Sequence, residues 1–234
     1  MKVNELNVFV EGKGQAMILL HGWGCDHTLM EPIYDHFKDH YKVCNLDLPG
    51  FGVNQKLDHA YTIYDYVVVL KNIVQTYHLN NPIIIAHSFG CRIAFHYAAL
   101  FPCRFLILTG AAGIKPRRTP KYYAKVYFYK MIKSMGISIS MGSKDYKEAD
   151  PLLRRTLVHV VNDDCSSDIK KIKCPILLVW GEEDYETPLW MAEKIQTLNE
   201  NASLISFEKD DHFAYYHQMS RFLKICEIAL KECD

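Results

Sequence analysis

The stretch Pro82-Ile83-Ile84-Ile85-Ala86-His87 sets the first limit on the fold. Three isoleucines in succession leave no polar side, so a strand built from them must be covered on both faces. The centre of a parallel sheet is such a place, and parallel strands need long crossovers between them, usually helices. The rest of the chain has that spacing. Ala16–Leu20, Lys42–Asp47, Phe105–Thr109, Cys174–Trp180 and Ala202–Phe207 read as further strands. Thr62–His78, Gly90–Leu100, Pro188–Leu198 and Gln218–Lys231 read as helices. In the first of these, Thr62 and Asp65 form a capping box, and Tyr66, Leu70, Ile73 and Tyr77 share one face. The expected fold class is α/β: a mostly parallel central sheet with helices on both faces, right-handed crossovers and functional groups at the carboxyl ends of the strands.

One segment breaks the rhythm. More than sixty residues separate the strand Phe105–Thr109 from the strand Cys174–Trp180, too many for a single crossover helix. Within it, Lys115–Lys147 holds nine lysines and arginines and one acid, Asp145, and Tyr122, Tyr123, Tyr127, Phe128 and Tyr129 crowd together. This pattern predicts a helical lid insertion over residues 114–166, with residues 1–113 and 167–234 forming the core. The tyrosines Tyr122, Tyr123 and Tyr127 are candidates to line an apolar substrate pocket. Arg117, Arg118 and Lys121 either meet an anionic substrate or solvate the lid's outer face.

Composition excludes other classes. The 234 residues carry 27 lysines plus arginines and 27 aspartates plus glutamates, and this balance argues against a nucleic-acid partner. No apolar run reaches the ~18 residues needed to cross a bilayer, so no membrane partner is expected. Eight cysteines are present, none in a C-x-x-C pair, which disfavours zinc-ribbon and redox motifs. They read as small buried hydrophobes of a cytoplasmic protein whose thiols stay reduced. No metal and no cofactor is expected.

Four loops carry candidate chemistry. Ala86-His87-Ser88-Phe89-Gly90 lies where a buried strand meets a helix, a place that forces Ser88 into a tight turn flanked by small residues. His21-Gly22-Trp23-Gly24 follows a strand and can turn its amides toward a cavity. The N–H groups of Trp23 and Phe89 are candidates to hold a developing oxyanion, with His21 ordering the loop or touching substrate. A serine nucleophile needs a base and an orienting acid. His212 lies between the last strand and the last helix, and Asp184 follows the strand Cys174–Trp180, with Glu183 as the runner-up acid. Asp47 and Asp211 read as structural loop residues. Cys91, although close to Ser88 in sequence, has no base placed for it.

These motifs together resemble the α/β-hydrolase fold serine hydrolases, in particular the compact esterase and carbon–carbon-bond hydrolase branch. The resemblance rests on His21–Gly24, Asp47-Leu48-Pro49-Gly50-Phe51-Gly52, Ala86–Gly90, Gly181–Asp184 and Asp211–Phe213, and spans nearly the whole chain apart from the lid. Cys91 stands where that branch often has a glycine. The resemblance implies a catalytic Ser88–Asp184–His212 set acting on a small-molecule carboxylic ester or thioester through an acyl-serine. Its alternative is carbon–carbon bond cleavage or elimination on an anionic substrate with the same residues. A ligand-binding receptor on this fold is a third reading, disfavoured because a binding pocket needs no triad.

Overall fold

The computed structural model describes residues 5–54, 56–115 and 150–232. Seven strands form one sheet: β1 (Val8–Glu11), β2 (Ala16–Leu20), β3 (Lys42–Leu46), β4 (Ile83–His87), β5 (Phe105–Thr109), β6 (Ile176–Gly181) and β7 (Ala202–Phe207). Their order is β1-β3-β2-β4-β5-β6-β7, and every pairing is parallel except β1 with β3. The isoleucine strand β4 sits at the centre, between β2 and β5.

The period of a strand explains the two-sided burial. Ile84 and Ala86 of β4, Ile18 and Leu20 of β2, and Leu106 and Leu108 of β5 point into one apolar cluster. Ile83 and Ile85, Met17 and Leu19, and Phe105 and Ile107 point into the other. The first cluster is closed by α2 (Ile63–Thr76), α3 (Phe89–Leu100) and the helix Trp190–Leu198. The second is closed by α1 (Glu31–Phe37) and the helix Met219–Lys231. α2 begins as the capping box requires: Thr62 Oγ1 accepts the Asp65 N–H, and Asp65 accepts the Thr62 N–H at 2.7 Å. Such a box contributes about 1 kcal/mol.

Among the elements outside the sequence reading are β1 and α1. β1 is a four-residue edge strand, half buried on alternate residues, and α1 is seven residues long. Both are short, and their apolar residues are too few to outweigh the neighbouring loops. Of the segment 114–166, the structure describes 114, 115 and 150–166. Pro151–Asn162 is a helix capped by Asp150, whose carboxylate accepts the Leu152 and Leu153 amides. It docks on the loop before α2, where Thr156 Oγ1 accepts the Tyr61 N–H and the His159 ring bonds the Tyr61 carbonyl. Tyr122, Tyr123, Tyr127, Arg117, Arg118 and Lys121 lie outside the described residues.

No disulfide joins the seven described cysteines, of which Cys44, Cys91, Cys165 and Cys226 are buried. Among the described residues no helix is long and apolar enough to cross a membrane.

Candidate active site

Ser88 stands between the end of β4 and the start of α3 with φ 50° and ψ −108°. A non-glycine residue there costs about 1–3 kcal/mol and persists only where its surroundings fix it. The Ser88 N–H donates to the Thr109 carbonyl of β5, and the Ser88 carbonyl accepts from Cys91 and Ala112. Two residues on, the backbone of α3 presses against the end of β2: a Cβ on Gly90 would sit 2.6 Å from the Leu20 carbonyl oxygen. Only glycine permits this approach. Ala86, two residues before Ser88, is fully buried between Leu20 and Leu108 on the neighbouring strands, where a methyl still fits.

The turn lifts the hydroxyl above the sheet, where His212 meets it. His212 Nε2 lies 2.9 Å from Ser88 Oγ, and His212 Nδ1 lies 2.7 Å from Asp184 Oδ2. This network sets the tautomer: Nδ1–H donates to the carboxylate and Nε2 accepts the serine proton. Asp184 is 3% exposed. Its Oδ1 accepts the amides of Glu186 and Thr187 at 2.9 and 2.8 Å. Burial alone would raise its pKa, but the His212 hydrogen bond and charge, together with the Thr187 donors, hold it below the ordinary carboxylate value. Glu183, from the same turn, is exposed.

Two positions that sequence reasoning missed complete this corner. Thr187 Oγ1 lies 2.8 Å from Asp184 Oδ2 and 3.2 Å from His212 Nδ1. Gly110 follows β5 with φ 49°, and a side chain there would meet the His212 ring at 2.9 Å. A glycine at the carboxyl end of a central strand was the available signal. Glu186, from the same turn as Asp184, has Oε2 3.5 Å from His212 Nε2, although its side chain is 71% exposed.

His87 forms the floor. Its ring lies 4.8 Å from the His212 ring and close to Phe213 and Tyr215. Burial first, and the nearby His212 second, hold its pKa well below the usual histidine value, so it stays neutral.

The loop His21–Gly24 runs alongside. A side chain on Gly22 would meet the His87 ring at 3.0 Å and Ser88 Cβ at 3.6 Å. His21 is fully buried, with Nε2 accepting the Leu48 N–H and Nδ1 donating to the Gly22 carbonyl. With both nitrogens engaged and no exposed surface, it orders the loop and offers nothing to a substrate. Among the described residues, the amides of Trp23 and Phe89 have no hydrogen-bond acceptor. The Trp23 ring packs edge-on against Phe89 and Phe51. Phe89 is the first residue of α3, so the helix dipole adds positive potential at its amide.

The remaining candidates lie apart from this chain of bonds. Cys91 is buried, its thiol donating to the Ala86 carbonyl, and burial pushes its pKa up. Asp47 accepts from Val53 in its own turn and from Asn7 and His27 in two other loops, which it ties together, and Asp211 caps the Phe213 amide. His217 pairs with Asp210 at the surface.

Comparison with known proteins gives a consistent picture. A family model described as alpha/beta hydrolase fold matches residues 15–135. A pimeloyl-[acyl-carrier protein] methyl ester esterase of Pseudoalteromonas atlantica is 26% identical over 248 residues, covering 91% of this chain and 93% of that protein. Among solved structures, a meta-cleavage product hydrolase of Pseudomonas fluorescens IP01 superposes with a TM-score of 0.77 at 19% identity, over 98% of this chain and 95% of the other. An esterase of Thermogutta terrifontis does so with a TM-score of 0.77 at 17% identity, over 97% and 93%. At these identities the two structures establish a shared fold.

Proposed function

The chain belongs to the α/β-hydrolase fold family and is a hydrolase, and from that premise we propose that it cleaves a small carboxylic ester or thioester through an acyl intermediate on Ser88. The observation that carries this reading is the unbroken hydrogen-bond chain from Asp184 through His212 to Ser88, ending on a serine held in a strained turn. An ester substrate is also supported by the likeness to the pimeloyl-[acyl-carrier protein] methyl ester esterase.

In the proposed reaction Ser88 Oγ attacks the carbonyl carbon while His212 Nε2 takes the hydroxyl proton. Asp184, ionised and fixed by the Thr187 and Glu186 amides, stabilises the imidazolium through Nδ1–H. The carbonyl oxygen becomes an oxyanion, for which the amides of Trp23 and Phe89 are the donors. Collapse breaks the bond to the leaving alcohol or thiol, which receives the proton from His212. Water then attacks the acyl-Ser88 ester by the same route, His212 taking its proton and returning it to Ser88.

Carbon–carbon cleavage on an anionic substrate would use the same residues. The Glu186 carboxylate beside His212 Nε2 opposes a second negative charge there, which favours a neutral ester or thioester. The test is direct capture. A slowly deacylating aryl ester should release a burst of phenol equal to the enzyme present and add the acyl mass to the peptide holding Ser88. Steady turnover with no burst, no acyl adduct and undiminished activity in Ser88→Ala would overturn the proposal.

A further inference from the structure

A second histidine, remote from Ser88 in role, has equally elaborate surroundings. His96 lies on the buried face of α3 and is 2% exposed. Its Nδ1 is 2.6 Å from Asp168 Oδ2, and its Nε2 is 2.8 Å from Asp163 Oδ2. The Cys165 thiol lies 3.5 Å from the same Nε2 and 3.4 Å from the same Asp163 oxygen. The three partners come from one short stretch, from the end of the helix Pro151–Asn162 into the short helix Ser166–Ile169. That stretch is tied down by the Cys165 N–H on the Gly113 carbonyl and by Arg92 on the Asp163 carbonyl.

We infer that His96 Nε2, Asp163 Oδ2 and Cys165 Sγ form a binding site for a thiophilic divalent cation, with zinc the best fit. The edges of the triangle support this. Zinc bonds of about 2.0 Å to nitrogen and oxygen and about 2.3 Å to sulfur, at tetrahedral angles, give S···N and S···O edges of about 3.5 Å. The observed edges are 3.5 and 3.4 Å. The N···O edge of 2.8 Å must open by about 0.5 Å to reach the tetrahedral value. Asp168 stands where an outer carboxylate orients a metal-bound imidazole, accepting Nδ1–H while Nε2 faces the ion. The mixed N, O, S set selects zinc and similar ions over magnesium or calcium, which take oxygen ligands. The Asp163 side chain, 18% exposed, marks the solvent side of the site.

Charge balance points the same way. Without metal, His96 bonded to two carboxylates carries both ring protons and Cys165 is a thiol. Imidazolium and Arg92 then balance Asp163 and Asp168, with Lys171 on the outer oxygen of Asp168. Zinc would replace the Nε2 proton and the thiol proton, so the net charge of the buried group is unchanged while two protons leave. Tyr64, whose ring packs beside His96, and Asp164 are the other titratable groups facing the cluster. The same geometry gives Cys165 no use as a nucleophile: it is fully buried, and its neighbouring imidazole is already occupied by two carboxylates.

The consequence is a cross-link between α3, the helix that follows Ser88, and the end of the inserted segment. The full chain, stripped with a chelator and titrated with zinc alone, should retain one zinc through gel filtration in metal-free buffer and release about two protons per zinc. Cobalt in its place should give a thiolate-to-metal absorption band. Cys165→Ser should lose the band and at least about tenfold in zinc affinity, and Asp168→Asn a similar or smaller amount. Cys174→Ser, a thiol elsewhere, should change neither. Wild-type protein that retains no zinc, cobalt bound without the band, or Cys165→Ser that binds as wild type does, would each overturn the proposal. The wild-type measurements do so even if a variant fails to fold.

Discussion

The molecule builds two histidine–carboxylate centres, one at the N-terminus of α3 and one on its buried face, and they differ in what faces the second ring nitrogen. At His212, Nδ1 has Asp184 and Nε2 has the Ser88 hydroxyl. At His96, Nδ1 has Asp168 and Nε2 has Asp163, with the Cys165 thiol beside it. Asp184 is the carboxylate hydrogen-bonded to the first imidazole, the exposed Glu186 standing 3.5 Å from Nε2, so Nε2 is left to take a proton. Burial lowers the pKa of His96, but two carboxylates outweigh it and hold the ring above the ordinary histidine value. A histidine already protonated cannot serve as a base. On the proposed reading, the same residue types arm a nucleophile at one centre and form a cross-link or metal site at the other.

The largest effects should fall on the first centre alone. Ser88→Ala and His212→Ala should each lower kcat toward an activated ester by about 10³-fold or more, because members of a triad act as a unit. Cys165→Ala should leave kcat within about twofold, a surface-like effect despite its burial. A comparable loss in Cys165→Ala would erase the distinction. Next come the acids. Asp184→Asn should cost roughly one to two powers of ten less than His212→Ala, since the base survives without its orienting charge. Glu183→Gln should be silent; the reverse result would move the acid by one residue.

Stability against pH separates the centres in a different way. The folded pKa of His96 is raised, so its contribution is complete below the unfolded value near 6.5 and is lost as pH rises through the folded value. In Asp163 and Asp168 burial raises the pKa, but hydrogen bonds from His96, and from Lys171 to Asp168, leave both below the usual value. Their contribution is present above about pH 3.9 and is lost as pH falls through the folded values. In metal-free buffer, Tm of the wild type should fall more steeply above about pH 6.5 than that of His96→Gln. Parallel curves would show that His96 is not held as a cation. The smallest expected effect is at the rim of the active site. Glu186→Gln should lower KM for an anionic ester by about two- to fivefold and leave a neutral ester unchanged, the range for an exposed charge. Equal effects on both esters would remove Glu186 from substrate discrimination.

Legibility in the sequence followed locality. The isoleucine strand, the capping box at Thr62 and the turn around Ser88 each announce themselves within a few residues, because local backbone and two-sided burial dictate those side chains. Asp184 and His212 were legible only as loop positions after strands; the bond between them depends on β6 and β7 being neighbours. Thr187 and Gly110 escaped because their roles arise from contacts between loops 77 residues apart. The His96 cluster escaped for the same reason: His96 lies 67 to 72 residues from its partners, with most of the inserted segment between them. Reading the cysteines as small buried hydrophobes suits Cys44, Cys91 and Cys226. For Cys165 it misses the polar company the fold supplies.

The central claim is that only one of the two centres arms a nucleophile. A fluorophosphonate probe reacts with a hydroxyl or thiol only where a positioned base and oxyanion donors assist attack. Peptide mapping after labelling of the wild type should find the probe on Ser88 and nowhere else. Labelling should be nearly abolished in His212→Ala and unchanged in Cys165→Ala. A probe found on Cys165 or on any other residue, or full labelling of a folded His212→Ala, would contradict the account.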